Sequence, residues 1–183
     1  MIMKKNVWIV IALVVAVFSF SSCATQQSAT QPTSRPVTTD TVVSVEPIKD
    51  VISIAEALDV FQNPDKTAAI TKKYGYKLKT NYEVYRLDKF SKMYYKNCAL
   101  AKLLTADKYE DYPKPMRKGV SSYIAFKDGA MIIAVFNQPA YDNLVAQVKA
   151  AGFTLDMPGN EDIYKKGNRT IACYKDGKSV RIE

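Results

Sequence analysis

The sequence contains no histidine among its 183 residues. Because histidine is the usual general base near neutral pH and the commonest metal ligand, its absence excludes Ser-His-Asp and Cys-His nucleophiles and most zinc sites. Carboxylate-based hydrolysis stays open as a class, although no pair of Asp or Glu residues is marked out for it. We therefore predict a protein that is not an enzyme and that holds no metal ion and no cofactor.

Tryptophan and cysteine are scarce as well. The single tryptophan, Trp8, lies in the N-terminal apolar segment, so the rest of the chain lacks the strongest stacking platform for a sugar. The 12 tyrosines are expected mainly as structural residues of strands, with a sugar-binding cleft as the alternative. Cys98 and Cys173 have no CxxC spacing. An oxidising compartment would permit a disulfide between them, and the alternative is that they remain small buried side chains.

The apolar segment from Val7 to Phe20 is 14 residues long, whereas a helix that spans a bilayer needs roughly 20. Lys4 and Lys5 precede this segment, and Phe20-Ser21-Ser22-Cys23 ends it. A basic start, a short apolar centre and small residues before a cleavage point are typical of a secretory signal peptide. The cysteine directly after the small residues resembles the lipobox of bacterial lipoproteins. This resemblance implies a lipoprotein signal peptide over residues 1–22 and acyl chains on Cys23.

The lipoprotein resemblance also carries an expectation of location. Two or more acyl chains hold a protein stably on a membrane, so the chain is expected to be exported and anchored through Cys23. The residues after Cys23 include no acidic run of the kind that resembles surface-export signals in Bacteroidetes. We therefore expect an outer-membrane lipoprotein that faces the periplasm. Asp40-Thr41-Val42 resembles the O-glycosylation sequon of exported Bacteroidetes proteins, which makes Thr41 a candidate glycosylation site.

Residues 23–47 are rich in Thr, Ser, Gln and Pro, a composition that predicts a disordered tether. A flexible chain of this length has a typical end-to-end distance of roughly 25 Å. Residues 48–183 then have the size of one domain. Without Lys4 and Lys5 the chain holds 24 Lys and Arg against 18 Asp and Glu, a net charge of +6, which we expect to be spread along the chain. Because no nucleic-acid module is present, this charge indicates a solvated surface or a weak attraction to anionic membrane or polysaccharide.

Local signals predict the first elements of the domain. Ser53 and Glu56 have the spacing of a capping box, which predicts that a helix begins at this point. The apolar residues expected on the buried face of this first helix are Ile54, Ala55, Leu58 and Phe61. Farther along the chain, residues 99–104 are compatible with a helical turn.

The domain then repeats one pattern of elements. Two units, at about 64–137 and 139–183, each run helix, strand, strand and hairpin. Each helix ends before a glycine, which suits the left-handed C-cap, and each hairpin contains an Asp-Gly pair, which is typical of a tight turn. The glycines are Gly75 and Gly152, and the pairs are Asp128-Gly129 and Asp176-Gly177.

These units predict an α+β fold, in which two tandem helix-plus-antiparallel-strand repeats form one sheet with helices on one face. The arrangement resembles the tandem α/β repeats of the β-lactamase-inhibitor-protein fold and of small envelope lipoproteins of the SmpA/OmlA kind. This resemblance concerns architecture and carries no activity.

Residues 130–136 form an apolar strand without the alternation expected of a strand that has one solvated face. Met131, Ile133 and Val135 point to one side, and Ala130, Ile132, Ala134 and Phe136 point to the other. One set must face the helices, and the other is either covered by the insert at 99–118 or open for a partner. The candidate partner face is therefore Ile132, Ile133 and Phe136.

Together these patterns indicate a lipid-anchored cell-envelope lipoprotein that acts as a non-enzymatic protein-binding or scaffolding domain. Its partners would be the membrane, through acylated Cys23, and an envelope protein, but not nucleic acid. The alternatives are an envelope glycan-binding module and a carboxylate-based hydrolase.

Overall fold

The computed structural model describes residues 44–84, 88–100, 103–105, 108–109, 113–116 and 118–183. Residues 40–183 form one compact unit. The predicted signal peptide, Cys23 and Thr41 lie outside the described residues. The end of the predicted tether is in contact with the domain, since the Glu46 carbonyl accepts a hydrogen bond from Asn143 Nδ2 at 2.9 Å. In the described part of the chain, no helix is long and apolar enough to cross a bilayer.

The helices begin and end at the residues that the sequence marks. Asn63 ends the first helix, and Pro64 opens the next turn because its ring presets the backbone for the first helical position. The glycines after the other two helices adopt positive φ, 76° at Gly75 and 83° at Gly152, as C-caps require. The described helices are α1 (Ile54–Gln62), a 3-10 turn (Pro64–Lys66), α2 (Thr67–Lys73) and α3 (Gln138–Ala150).

The N-terminus of α1 is capped from two directions. Ser53 Oγ accepts a hydrogen bond from the Glu56 backbone N–H at 3.2 Å, and its hydroxyl donates to Glu56 Oε2 at 2.8 Å. The backbone N–H of Ile54 donates to Oε1 of the buried Gln147 on α3 at 2.9 Å. The helix buries Ile54, Ala57 and Val60. The predicted burial of Ala55 is wrong, because the buried side of α1 is the one with Ile54, Ala57 and Val60, and Ala55 lies outside it and is exposed.

Gln147→Leu is expected to destabilise the domain by about 1–3 kcal/mol, because the buried Ile54 N–H loses its hydrogen-bond acceptor. Urea unfolding measures this loss. Because Leu also removes the hydrogen bond from Gln147 Nε2 to Asn143 Oδ1 at 2.8 Å, Asn143→Ala is the control for that second bond. Equal stability of Gln147→Leu and the unchanged protein would show that this contact contributes nothing.

Eight antiparallel strands form the main sheet, in the order β1-β2-β7-β8-β12-β11-β10-β9. The first four come from the first half of the domain and the last four from the second half, and the halves meet where β8 pairs with β12. This arrangement is the predicted α+β fold. The sheet strands are β1 (Lys77–Val84), β2 (Asp88–Lys96), β7 (Ser122–Lys127), β8 (Ala130–Val135), β9 (Thr154–Met157), β10 (Glu161–Lys166), β11 (Arg169–Tyr174) and β12 (Ser179–Ile182).

The insert between β2 and β7 contains two small strand pairs. The helical turn predicted over residues 99–104 is wrong where the structure describes it, because Ala99 pairs with Lys114 and Leu103 pairs with Tyr109. The four short strands are β3 (Cys98–Ala99), β4 (Leu103–Thr105), β5 (Lys108–Tyr109) and β6 (Lys114–Pro115).

The two Asp-Gly hairpins use different turns. In the first, Asp128 and Gly129 both have positive φ, 50° and 81°, as a two-residue turn requires. In the second, Tyr174 pairs with Ser179, so the turn spans residues 175–178, and the residue with positive φ is Lys178, at 47°. The second Asp-Gly pair therefore lies inside this longer turn and does not form the two-residue turn that its sequence favours.

The sheet is apolar on both faces. The larger core lies between the helices and one face, where Met131, Ile133 and Val135 of β8 pack with residues of α1 and α3. A smaller core on the opposite face contains Tyr82, Phe90, Met93 and Ala125, with Leu100, Tyr123 and Ile132 partly buried against it. Leu100 belongs to the insert, so the insert covers the β2–β7 side of this second face.

Candidate functional site

A groove with a volume of about 540 Å³ opens on the sheet face opposite the helices, and we call it the sheet-face groove. It lies over the pairing of β8 with β12, where the two halves of the domain meet. Ile132 and Ala134 of β8 and Ser179 and Arg181 of β12 form its floor. The smaller core beneath the insert ends at Ile132, so the groove begins where the insert stops covering the sheet.

The register of the strands explains why the surface is concave. Tyr123, Ala134, Ser179 and Tyr174 are successive partners across β7, β8, β12 and β11. Two small side chains therefore lie between two tyrosines. With strands about 4.8 Å apart, the backbones that carry the tyrosines are separated by about 14 Å, which leaves room between them for one extended chain or one sugar ring.

One wall of the groove is aromatic. Phe136 packs edge-to-face on Tyr123, with ring centroids 6.2 Å apart and an interplanar angle of 64°. Phe90 stacks on Tyr82, with centroids 6.3 Å apart and an angle of 9°. Each ring of this wall therefore packs on another ring, which favours the observed positions.

The opposite wall is the ring of Tyr174, which is 39 % exposed. The ring lies directly against Gly177 in the β11–β12 turn, since a Cβ atom on Gly177 would be 2.5 Å from Tyr174 Cδ1. Glycine is therefore needed at residue 177 for this close approach, and not for a positive φ. The turn over residues 175–178 and the position of the Tyr174 ring therefore depend on each other.

The charges around the groove balance. Arg181 Nη2 donates to Glu161 Oε2 at 3.1 Å, and its buried Nε lies 2.8 Å from Glu183 Oε1 without a well-aligned hydrogen bond. At the rim, the side chains of Asp176 and Lys178 have no ion-pair partner in the described part of the chain. The lining contains two acidic and two basic side chains, so the groove attracts neither anions nor cations strongly.

The structure corrects the predicted partner face. Ile132 and Phe136 line the groove, whereas Ile133 has 0 % exposure and faces the helices, so it cannot contact a partner. Sequence reasoning missed Glu161, Tyr174 and Arg181, because their position depends on how β11 and β12 pair with distant β8. Among the described residues, no group of three or more Cys, Asp and Glu side chains is placed to hold a metal ion.

Cys98 and Cys173 are buried free thiols in different environments, which is the second of the two alternatives that the sequence left open. Cys173 belongs to the core beneath the helices. Cys98 lies on β3, with Sγ 3.7 Å from the Ser122 carbonyl oxygen. Burial raises the pKa of Cys98 to about 11 and that of Cys173 to about 12.

Neither thiol is expected to react with iodoacetamide at pH 8 while the protein is folded, because the thiolate is the reactive form and burial suppresses it. In urea without reductant, intact mass should show alkylation of both Cys98 and Cys173. A pair that stays unmodified in urea until reductant is added would contradict the free thiols.

Comparisons of the chain with protein-family models, with curated proteins and with solved structures found no match. The groove combines an apolar floor, two aromatic walls and charges of both signs. Such a surface can bind a ligand that presents an apolar group together with polar groups.

Proposed function

We propose that this protein is an exported lipoprotein of a Gram-negative envelope that binds another envelope protein through the sheet-face groove and catalyses no reaction. The observation that carries the binding proposal is the concave, partly apolar sheet-face groove, which lies directly beside the part of the same face that the insert covers. The pattern that ends at Cys23 supports the lipid anchor, placed at the outer membrane and facing the periplasm.

The chemistry of the groove favours a protein segment as its occupant. Aromatic residues and arginine are enriched in protein interfaces, and here Tyr123, Phe136, Tyr174 and Arg181 surround a floor of small side chains. An apolar side chain of the partner would fill the space above Ala134. A charged side chain of the partner, of either sign, would find an opposite charge at the rim, where Asp176 and Lys178 lie.

One observation favours envelope glycan as a second candidate. The exposed Tyr174 ring offers a face on which a sugar can stack. Arg181, Glu161 and Asp176 lie close enough to the groove to bind hydroxyl groups. The hydrolase alternative would also use Glu161 and Asp176, although the Glu161 carboxylate is held by Arg181.

Filling the groove tests the proposal. Ser179→Phe places a ring between the tyrosines, and Ala69→Phe places the same ring on an exposed site of α2. A specific protein complex isolated from cross-linked intact envelopes should be lost with Ser179→Phe and kept with Ala69→Phe, provided that both variants keep the thermal midpoint of the unchanged protein.

Further variants separate the alternatives. Retention on envelope polysaccharide that is lost with Tyr174→Ala would support the glycan-binding module instead. Turnover of a substrate that is lost with Glu161→Gln or Asp176→Asn would support a hydrolase. A protein complex that survives Ser179→Phe unchanged would exclude the groove as its binding site.

A further inference from the structure

The positive charge of the chain is concentrated at one end of the sheet. Residues 66–96, which include α2, β1 and β2, contain nine Lys and Arg but only two Asp and Glu, a net charge of +7 out of +8 for the whole chain. The expectation of an evenly spread charge is therefore wrong. Because β1 is the outermost strand on its side of the sheet, this charge lies at an edge of the domain.

Four exposed lysines define this surface, which we call the lysine edge: Lys72 at the end of α2, Lys77 and Lys79 on β1, and Lys92 on β2. Lys92 lies directly opposite Thr80 of β1. Within the described ranges, none of the four has an ion-pair partner. Leu78 is 52 % exposed and points to the same face of the sheet as Lys92, whereas Lys77 and Lys79 point to the other face. The lysines therefore flank the edge on both faces, and an apolar side chain lies on one of them.

We propose that the lysine edge docks on an anionic phospholipid surface, with Leu78 entering the headgroup region. Unpaired lysines are attracted to anionic lipid, and an exposed leucine among them adds the apolar contact that peripheral membrane surfaces use. Each lysine near such a surface strengthens binding about fivefold. This docking is independent of what occupies the sheet-face groove.

The start of the described fold passes near one end of the lysine edge. Asp50 pairs with Lys96 at the end of β2 at 2.7 Å, and the preceding residue, Tyr95, pairs with Lys77. The described chain therefore runs from α3, where the Glu46 carbonyl accepts a hydrogen bond from Asn143, to the β2 end of the lysine edge. A tether that begins at Cys23 would keep the whole domain near the membrane, which raises the effective concentration of the lysine edge there.

Docking by this edge leaves the groove accessible. The edge strand β1 and the floor strand β8 are three strand spacings apart in the sheet, which is about 14 Å. The sheet would then stand on its β1 edge, with the groove open at the side and above the lipid headgroups.

Lysines on an edge strand have another known effect, since they prevent edge-to-edge pairing between sheets. This effect requires only that the lysines remain charged and exposed, and it predicts no affinity for lipid. Vesicle binding together with the aggregation state therefore separates the two roles.

The experiment uses the compact unit of residues 40–183, so that the acyl chains do not mask binding, with vesicles of phosphatidylcholine alone or mixed with phosphatidylglycerol. Sedimentation should show binding to the mixed vesicles only, and added salt should weaken it. Replacing the four lysines of the edge with Gln should weaken binding by more than about tenfold. Leu78→Gln should weaken it as well.

The control is the same charge change at four exposed lysines elsewhere, Lys114, Lys118, Lys149 and Lys175. This control should bind mixed vesicles nearly as well as the unchanged unit. Equal weakening by the two sets, or no binding to mixed vesicles, would overturn the proposal. So would an edge variant that binds normally but aggregates, since that result assigns the lysines to edge protection. The test does not involve the groove, so its failure leaves the proposed function standing.

Discussion

Ile133→Asp is expected to unfold the domain, whereas Ile132→Asp is expected to leave it folded. Ile133 has 0 % exposure in the core between the sheet and the helices. A carboxylate there loses its hydration and gains no described positive partner in the core, and the apolar contacts of the side chain are lost as well. The combined cost exceeds about 4 kcal/mol, which approaches the whole stability of many domains of about 5–15 kcal/mol.

Ile132 lies on the other face and is only partly buried. Its partner across β8 and β12 is Arg181, so an aspartate at residue 132 would be placed opposite a guanidinium group, and such pairs are favourable in sheets. We expect a loss of about 1–2 kcal/mol, chiefly from the apolar area that is no longer buried.

Urea and thermal unfolding of the two aspartate variants measure this difference. Ile132→Val and Ile133→Val serve as matched controls, and Ile133→Val should lose no more than about 1.5 kcal/mol. Equally severe losses for the two aspartate variants would mean that the face containing Ile132 is as buried as the helix side. The sheet-face groove would then not be an open surface.

Cys23→Ala is expected to abolish stable membrane attachment or to leave the precursor unprocessed, because the acyl chains supply the anchor. Fractionation of envelopes followed by a high-salt wash measures this loss, since salt removes the weaker attraction of the lysine edge. Cys98→Ala, at a buried thiol of the fold, is the matched control and should stay in the membrane fraction.

Intact mass of the native protein provides the second measurement for the anchor. We predict a lipid adduct on a chain that begins at Cys23. A native chain that begins elsewhere and carries no lipid would contradict both the signal peptide over residues 1–22 and the anchored location.

The features that local chemistry decides could be predicted from the sequence. Gly75 and Gly152 mark helix ends because their positive φ is costly for other residues. Asp128-Gly129 forms its tight turn for the same reason. The recurrence of helix, strands and hairpin in both halves was enough to predict an α+β fold with one antiparallel sheet.

The features that depend on distant residues could not be predicted. In β8 both alternating sets are apolar, so no pattern distinguishes Ile132 from Ile133, and only the packing of the helices decides which is buried. The second Asp-Gly pair adopts a longer turn together with the close packing of Tyr174 on Gly177. The groove itself follows from the pairing of β8 with β12, which no local signal specifies.

Photo-crosslinking in intact cells is the most direct test of whether a protein occupies the sheet-face groove. A photoreactive phenylalanine analogue at Phe136 changes the groove little, and the same analogue at Phe61, which is also partly buried but lies on the helix side, is the control. We predict a discrete protein adduct from residue 136 that Ser179→Phe abolishes, and no such adduct from residue 61. No protein adduct from residue 136, or the same adduct from both sites, would contradict a protein bound in the groove.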